Sequence, residues 1–160
     1  MHTLTLMRHA KSSWDDPQIG DHERLLSGRG KKAAYTMACR MKKSGYTPDF
    51  VLTSSARRAV ETAQRMFECF GNPVPHFSTP LLYESGVRDY LDVIREIDDR
   101  YGHLLVIAHN PTIESLAELM GSPLRKMSTA AYVRFAVPVS WSELTLKSFP
   151  VLASDFPKSS

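Results

Sequence analysis

Thr3-Leu4-Thr5-Leu6-Met7-Arg8-His9-Ala10 is the stretch on which the fold turns. A short apolar, β-prone run breaks off into Arg-His. A second run, Leu104-Leu105-Val106-Ile107-Ala108-His109-Asn110-Pro111, ends on a histidine in the same way. Each reads as a buried strand that delivers an imidazole at its carboxyl end. In open α/β sheets, ligands bind just beyond the carboxyl ends of parallel strands. Two histidines placed there, one beside an arginine, mark a candidate anion site, with a phosphoryl group as the first choice.

The remaining chain supplies the helices such a sheet needs. After a long polar segment from Lys11 to about Leu25, helical periodicity begins behind Ser27, a plausible N-cap. Gly30, Ala33, Ala34, Met37, Ala38 and Met41 recur at helical spacing, and Gly45 is placed as a stop. Lys31, Lys32, Lys42 and Lys43 fall on the solvated side, and the Gly-Arg-Gly-Lys-Lys run lacks the spacing of a P-loop. Phe50-Val51-Leu52-Thr53 is the next strand. Ser54 or Ser55 caps a second helix whose stripe is Ala56, Ala59, Val60, Ala63, Met66, Phe67 and Phe70. Arg57 and Arg58 lie in its first turn, where the helix dipole opposes positive charge unless something negative sits nearby.

A weak strand at His76-Phe77-Ser78 precedes Leu81-Leu82-Tyr83-Glu84, and a third helix runs from Val87 to Tyr101, closed by Gly102. Beyond the second His-bearing strand, Asn110 reads as an N-cap and Pro111 as the first residue of a fourth helix. His109 thus stands between a strand end and a helix N-terminus, a position that favours phosphate. Alternation in Ala131–Val137 and Leu144–Lys147 predicts two closing strands in an antiparallel hairpin. The expected architecture is a three-layer α/β/α domain over residues 1–152, with a mainly parallel central sheet and an antiparallel edge hairpin. Residues 153–160 read as a disordered tail.

Bulk properties narrow the function. The chain has 160 residues with 42% hydrophobic and 23% charged residues, the balance of a folded globular domain. A formal charge of +3 gives no case for a nucleic-acid or membrane partner. No apolar run approaches the ~20 residues of a membrane span. The N-terminal apolar run is too short for a signal-peptide core and is broken by Arg8 and His9, which favours the cytoplasm. Cys39 and Cys69 fall in helical stripes and read as reduced, buried packing residues. Neither heads a Cys-x5-Arg loop, which argues against a cysteine-based phosphatase.

Together the motifs amount to a resemblance. Arg8-His9-Ala10 is similar to the Arg-His-Gly signature of the histidine phosphatase (phosphoglycerate-mutase-like) superfamily, and Leu26-Ser27-x-x-Gly30 to its Leu-Thr-x-x-Gly helix start. Ser54-x-x-x-Arg58-Ala59-x-x-Thr62-Ala63 resembles its second-arginine motif, which selects Arg58 over Arg57. His109-Asn110-Pro111 is similar to its second histidine. Without the larger insertions of the mutases, the chain most resembles the compact SixA-type phosphohistidine phosphatases, as does the opening Arg8-His9-Ala10-Lys11-Ser12-x-Trp14. The resemblance implies His9 as nucleophile and Arg8, Arg58 and His109, with the adjoining Asn110, as the phosphoryl-binding set. Glu84, in Leu82-x-Glu84, falls where the family's proton donor often sits, although the Gly-x-Trp-Glu-Gly continuation of many members is missing and Ala10 replaces a glycine.

The implied activity is a metal-independent, cofactor-free phosphatase. Its partner is a phosphorylated protein, such as a histidine phosphotransfer domain, or a small phosphorylated metabolite. Two other readings stand beside it: a broad-specificity phosphomonoesterase with Glu84 as the working acid, and a non-catalytic phospho-ligand binding module. A metal site from His9, His22, His109 and Asp16 is a remote option, since no pair has metal-ligand spacing. Lys11, Ser12 and Arg24 are placed to line the mouth of the site from the long loop.

Overall fold

The structure is a computed structural model and describes residues 1–71 and 73–158. Its centre is a six-stranded sheet in the order β3-β2-β4-β1-β5-β6. The strands are β1 (His2–Arg8), β2 (Phe50–Ser54), β3 (His76–Thr79), β4 (His103–Ala108), β5 (Tyr132–Val137) and β6 (Val151–Asp155). β1, β2, β3 and β4 run parallel, β5 lies antiparallel to β1, and β6 lies antiparallel to β5. The helices are α1 (Gly28–Lys43), α2 (Arg57–Phe70), α3 (Val87–Arg95) and α4 (Thr112–Leu119).

Period-two alternation along buried strands divides the core into two layers. Leu4 and Leu6 of β1, with Leu104 and Val106 of β4, face α3 and α4 through Leu91, Ile94, Ile113 and Leu116. Met7, Leu105 and Ile107 face the other way, onto Met37 and Met41 of α1 and Ala63 and Met66 of α2. The three-layer α/β/α architecture follows from one β-run having two apolar faces to cover. Because β1 and β4 are neighbours in register, with Arg8 opposite Ala108, the two histidines that follow them emerge side by side.

Ser27 caps α1, its hydroxyl accepting from the Gly30 N–H at 3.0 Å. Gly30 is required for another reason: a Cβ there would sit 2.0 Å from the Lys11 carbonyl oxygen. The segment leaving β1 therefore crosses directly over the start of α1. The long loop is closed at its base by a bridge between Ser12 and Leu26 and carries a short 3-10 turn at Asp21–Glu23.

Several expectations are corrected. The closing strand lies at Val151–Asp155, not Leu144–Lys147. The alternation at 144–147 reflects one buried leucine, Leu144, under a 3-10 turn at Trp141–Glu143, with Leu146 exposed. Trp141 donates from its indole to the Tyr101 carbonyl at 2.8 Å, so this segment is pinned to the α3–β4 connection before the chain can return as β6. Residues 153–155, expected to be disordered, are part of that strand. Arg40 holds Asp155 and the Phe156 carbonyl there at 3.2 and 3.3 Å. Ser159 and Ser160 of the expected tail lie outside the described residues.

α3 stops at Arg95, short of Tyr101, because Asp98 captures the Arg100 N–H at 2.9 Å in a turn. Tyr101 keeps helical spacing only by coincidence, its ring packing on Phe50 at 4.7 Å. Neither Ser54 nor Ser55 caps α2, whose N-cap is Ala56. α4 begins at Thr112 with Pro111 as its N-cap, one residue later than expected. Cys39 and Cys69 are half-buried and joined by a disulfide with Cα atoms 5.6 Å apart, linking α1 to α2. They were expected as reduced, buried packing residues; periodicity places each on a helix but does not show that α1 and α2 lie side by side in one layer. Among the described residues, no helix is long and apolar enough to cross a membrane.

Candidate active site

The carboxyl edge of the sheet opens into a cavity of about 920 Å³ whose walls include Arg8, His9, Arg58, Glu84, His109 and Asn110. All six residues expected at the site are therefore brought together, from the ends of β1 and β4, the first turn of α2 and the segment after β3. Their geometries differ, and the differences assign distinct chemistry to each.

His9 is 6% exposed, and its Nδ1 lies 2.7 Å from the Ala10 carbonyl. A carbonyl can only accept, so Nδ1 carries the proton and Nε2 presents its lone pair. That lone pair faces Arg58, whose Nε–H donates to Nε2 at a long 3.4 Å. The ring's orientation is held in turn from α2: the Ala10 N–H donates to Thr62 Oγ1 at 3.0 Å, and Thr62 donates to the Arg58 carbonyl at 2.7 Å. Burial, opposed by the Ala10 hydrogen bond and reinforced by Arg58, Arg8 and Arg24, pushes the His9 pKa down to about 4. The imidazole is neutral at physiological pH.

His109 stands 5.0 Å from His9, ring centroid to centroid. Its Nε2 pairs with Ser54 Oγ at 2.8 Å, while Nδ1 is buried without a partner. Burial is again the main cause of a pKa lowered to about 3, with His9 and Arg58 adding to it. Ser54 is thus spent on the site rather than on capping α2, its hydroxyl also accepting from the Ala56 N–H at 3.1 Å. Arg8 reaches the Met127 carbonyl at 3.2 Å with Nη1, and its Nε is buried and unpartnered. Desolvation lowers its pKa from the ordinary guanidinium value, against the pull of Glu114.

Arg57 points to solvent and Arg58 is buried, 6% exposed. The negative group that two first-turn arginines demand is Asp21, which the sequence reading did not single out. Arg58 donates to the Asp21 carbonyl at 2.7 Å and to its Oδ2 at 3.1 Å. Arg24 donates to Oδ1 through Nε and Nη2 at 3.2 and 3.1 Å, and Tyr83 donates to Oδ2 at 2.5 Å. The Tyr83 hydrogen bond, then the two arginines, hold the Asp21 pKa down near 2 despite partial burial. Burial first, then the Asp21 contact, raises the Tyr83 pKa to about 12. The one available signal was the Asp21-x-x-Arg24 spacing inside an otherwise irregular loop.

The rim is built from the same loop. Arg24 lies under the exposed Trp14 ring at 3.5 Å and donates to Ser12 Oγ, while Lys11 is exposed at the mouth. Asn110 lines the cavity, yet its amide donates to the Met127 carbonyl at 2.9 Å and to Glu114 Oε2 at 3.2 Å. Its donors hold the segment that Arg8 grips. Glu84 is exposed on the wall and makes no hydrogen bond to another described side chain. Among the described residues, no group of three or more His, Cys, Asp or Glu side chains is arranged to hold a metal ion. His22, once a possible ligand, pairs instead with Ser55 and Glu23 at 2.9 Å each.

Neutral imidazoles flanked by guanidiniums, at the carboxyl edge of a mainly parallel sheet, form a site built for an anionic group. The chain belongs to the histidine phosphatase superfamily: the model of its branch 1 matches residues 4–90. It is 30% identical to an uncharacterized protein of Mycobacterium leprae over 165 residues, covering 95% of this chain and 100% of that one. A structure named as the phosphohistidine phosphatase SixA of Nakamurella multipartitia superposes with a TM-score of 0.86 at 22% identity, over 99% of this chain and 97% of that one. A protein histidine phosphatase SixA complexed with tungstate gives 0.80 at 20% identity, over 96% of each chain. The fold is therefore phosphoglycerate-mutase-like in its compact, SixA-like form, and family membership supports phosphatase activity.

Proposed function

We propose that this chain is a phosphatase that works through a covalent phosphohistidine at His9 and acts on phosphohistidine carried by a signalling protein. The observation that carries the reading is the fixed tautomer: Nδ1–H is tied to the Ala10 carbonyl, and the Nε2 lone pair is turned into the cavity toward Arg58. In the first step Nε2 attacks phosphorus, the bond to the leaving group breaks, and its electron pair departs with that group. In the second, water attacks the same phosphorus, the P–Nε2 bond breaks, and inorganic phosphate leaves with His9 regenerated. Charge accumulates on the equatorial oxygens, where guanidinium forks are the appropriate donors. Arg8, Arg58 and the imidazole of His109 take that role. No step of this scheme needs a metal or an organic cofactor.

The substrate class rests on the leaving group. A sugar or alkyl alkoxide needs a positioned general acid, whereas a phosphohistidine ring protonated on its free nitrogen releases neutral imidazole, whose conjugate acid has an unperturbed pKa of about 6.5, and needs no further acid. Glu84 is exposed and untethered, which suits the less demanding substrate. A broad-specificity phosphomonoesterase is the second reading, favoured by the position of Glu84 on the wall of a roomy cavity. A panel of phosphohistidine peptide, alkyl phosphate and aryl phosphate, run without added metal, separates the two. The proposal expects preference for phosphohistidine and little loss on that substrate in Glu84→Gln. Equal loss on every substrate assigns Glu84 as the acid and favours the phosphomonoesterase. A signalling substrate of this kind places the reaction in the cytoplasm. The thiol pool there works against a disulfide such as Cys39–Cys69, so the redox state of that pair in cells reads out the compartment.

A further inference from the structure

Met127 lies between α4 and β5, and its main chain is held at both its carbonyl and its N–H. The carbonyl accepts from Arg8 Nη1 at 3.2 Å and from Asn110 Nδ2 at 2.9 Å. The N–H donates to Oε2 of Glu114 at 2.7 Å, the same oxygen that accepts from Asn110 Nδ2 at 3.2 Å. We propose that Glu114 is the positioning residue of Arg8, fixing through the Met127 main chain the guanidinium that receives the phosphoryl group. The inference rests on the reading of Arg8 as a phosphoryl-binding residue.

The ordinary use of a glutamate at this place is closed to Glu114. It is the third residue of α4, where a glutamate commonly reaches back to the N–H of the N-cap residue. The N-cap here is Pro111, which has no N–H to offer. The carboxylate turns instead to the segment that follows α4. That segment is tied at its other end by backbone: the Ala130 N–H donates to the Arg8 and His9 carbonyls at 3.1 Å each, and the Arg8 N–H donates to the Ala131 carbonyl at 3.0 Å. Burial of the Met127 side chain in the core places the residue. Glu114 and Asn110 orient the peptide planes on either side of it.

The two arginines are therefore held in different ways. Arg58 meets its carboxylate directly, and both of its terminal nitrogens are occupied by Asp21. Arg8 meets Glu114 only through the Met127 peptides, with no direct ion pair between them. Its Nη2 makes no hydrogen bond among the described residues and stays open to the cavity. The charge of Glu114 still acts at a distance, opposing the desolvation and the Arg58 repulsion that lower the Arg8 pKa. A carboxylate bound directly to Arg8 would compete with phosphoryl oxygens for its fork. Acting through the peptides, Glu114 anchors one terminal nitrogen and leaves the other for the ligand.

Binding of inorganic phosphate to the full chain, measured by calorimetry, tests this. Glu114→Gln and Glu114→Met both remove the charge at nearly constant size, but only glutamine keeps an acceptor for the Met127 N–H. Phosphate is expected to bind about 3- to 10-fold more weakly to Glu114→Met than to Glu114→Gln, the worth of one hydrogen bond. When both chains also carry Arg8→Gln, the ratio is expected to fall within about twofold, because Glu114 acts through Arg8. A carboxylate that merely stiffens the fold gives the same ratio with or without Arg8. Equal affinities in the two Glu114 variants overturn the proposal, and so does a ratio that survives Arg8→Gln. Hydrogen exchange on the unaltered chain is a check that needs no variant. The Met127 amide is expected to exchange at least about tenfold more slowly than those of Lys126 and Ser128, and equal rates overturn the anchor. The catalytic reading is judged separately: absence of turnover on every phosphate substrate ends that reading and leaves these affinities to decide on Glu114.

Discussion

Replacing Asp21 with asparagine removes one charge from the active site and almost no volume. In the structure that charge is shared by Arg58 and Arg24, and the terminal nitrogens of Arg58 both donate to Asp21, one to its carbonyl and one to Oδ2. With its pKa near 2, Asp21 stays ionised at every working pH. It therefore competes with a bound phosphoryl group for the guanidinium meant to hold that group. The side chain is 46% exposed, so each pair is discounted to roughly 0.2–1 kcal/mol. A phosphate dianion feels the lost charge twice over, which brings the expected gain in its binding to about 0.4–2 kcal/mol, or ~2- to 30-fold. Product inhibition by inorganic phosphate in steady-state assays measures this directly. The inhibition constant is expected to fall by that factor in Asp21→Asn, with a lower kcat as phosphate release slows. A several-fold rise in the inhibition constant would refute the competition argument and make Asp21 purely a splint for the two arginines.

His9 and His109 are buried in neutral form with pKa values near 4 and 3, against 6.5 unfolded. The unfolded chain binds more protons between those values, so stability is expected to be full above pH 6.5 and to fall as pH drops toward 4, by about 2–3 kcal/mol per histidine. Urea titrations at stepped pH check this, and Asn at either position flattens the slope. Gly30→Ala drives a methyl into the Lys11 carbonyl and is expected to cost at least about 1–3 kcal/mol. Gly28→Ala, with nothing within 4 Å, is expected to be neutral or slightly stabilising in the same melting assay. Reducing the Cys39–Cys69 disulfide, which closes a loop of 30 residues, is expected to cost about 3–4 kcal/mol, read as a lower urea midpoint with reductant.

Much of the fold was legible because its central strands are buried on both faces. Leu104 to Ala108 is wholly apolar and wholly buried, and a histidine closing such a run has nowhere to go but the sheet edge. The stripe of α2 was readable for a similar reason: Ala59, Ala63, Met66 and Phe70 lie on one buried side. β6 escaped because an edge strand with mostly exposed residues carries no burial pattern, while Leu144 and Leu146 mimicked one. The disulfide could not be seen before α1 and α2 were known to share a layer. At the site, Arg8, His9, Arg58 and His109 were visible because each sits at the start or end of a regular element. Asp21 and Tyr83 were not, since they meet only where an irregular loop folds across the cavity, and no periodicity encodes that encounter. The hold of the Asn110 amide on the Met127 segment was not legible either, because a side-chain amide beside a helix start carries no signal of its long-range partner.

The account turns on phosphorus becoming bonded to one nitrogen. Rapid quench with a labelled phosphohistidine peptide, followed by proteolysis at alkaline pH and mass spectrometry, locates that bond. The expected result is an acid-labile phosphoramidate on His9 that forms in a burst, decays to free phosphate, and is absent in His9→Ala. Label on His109 instead, or tight substrate binding with no label on either histidine, would contradict it.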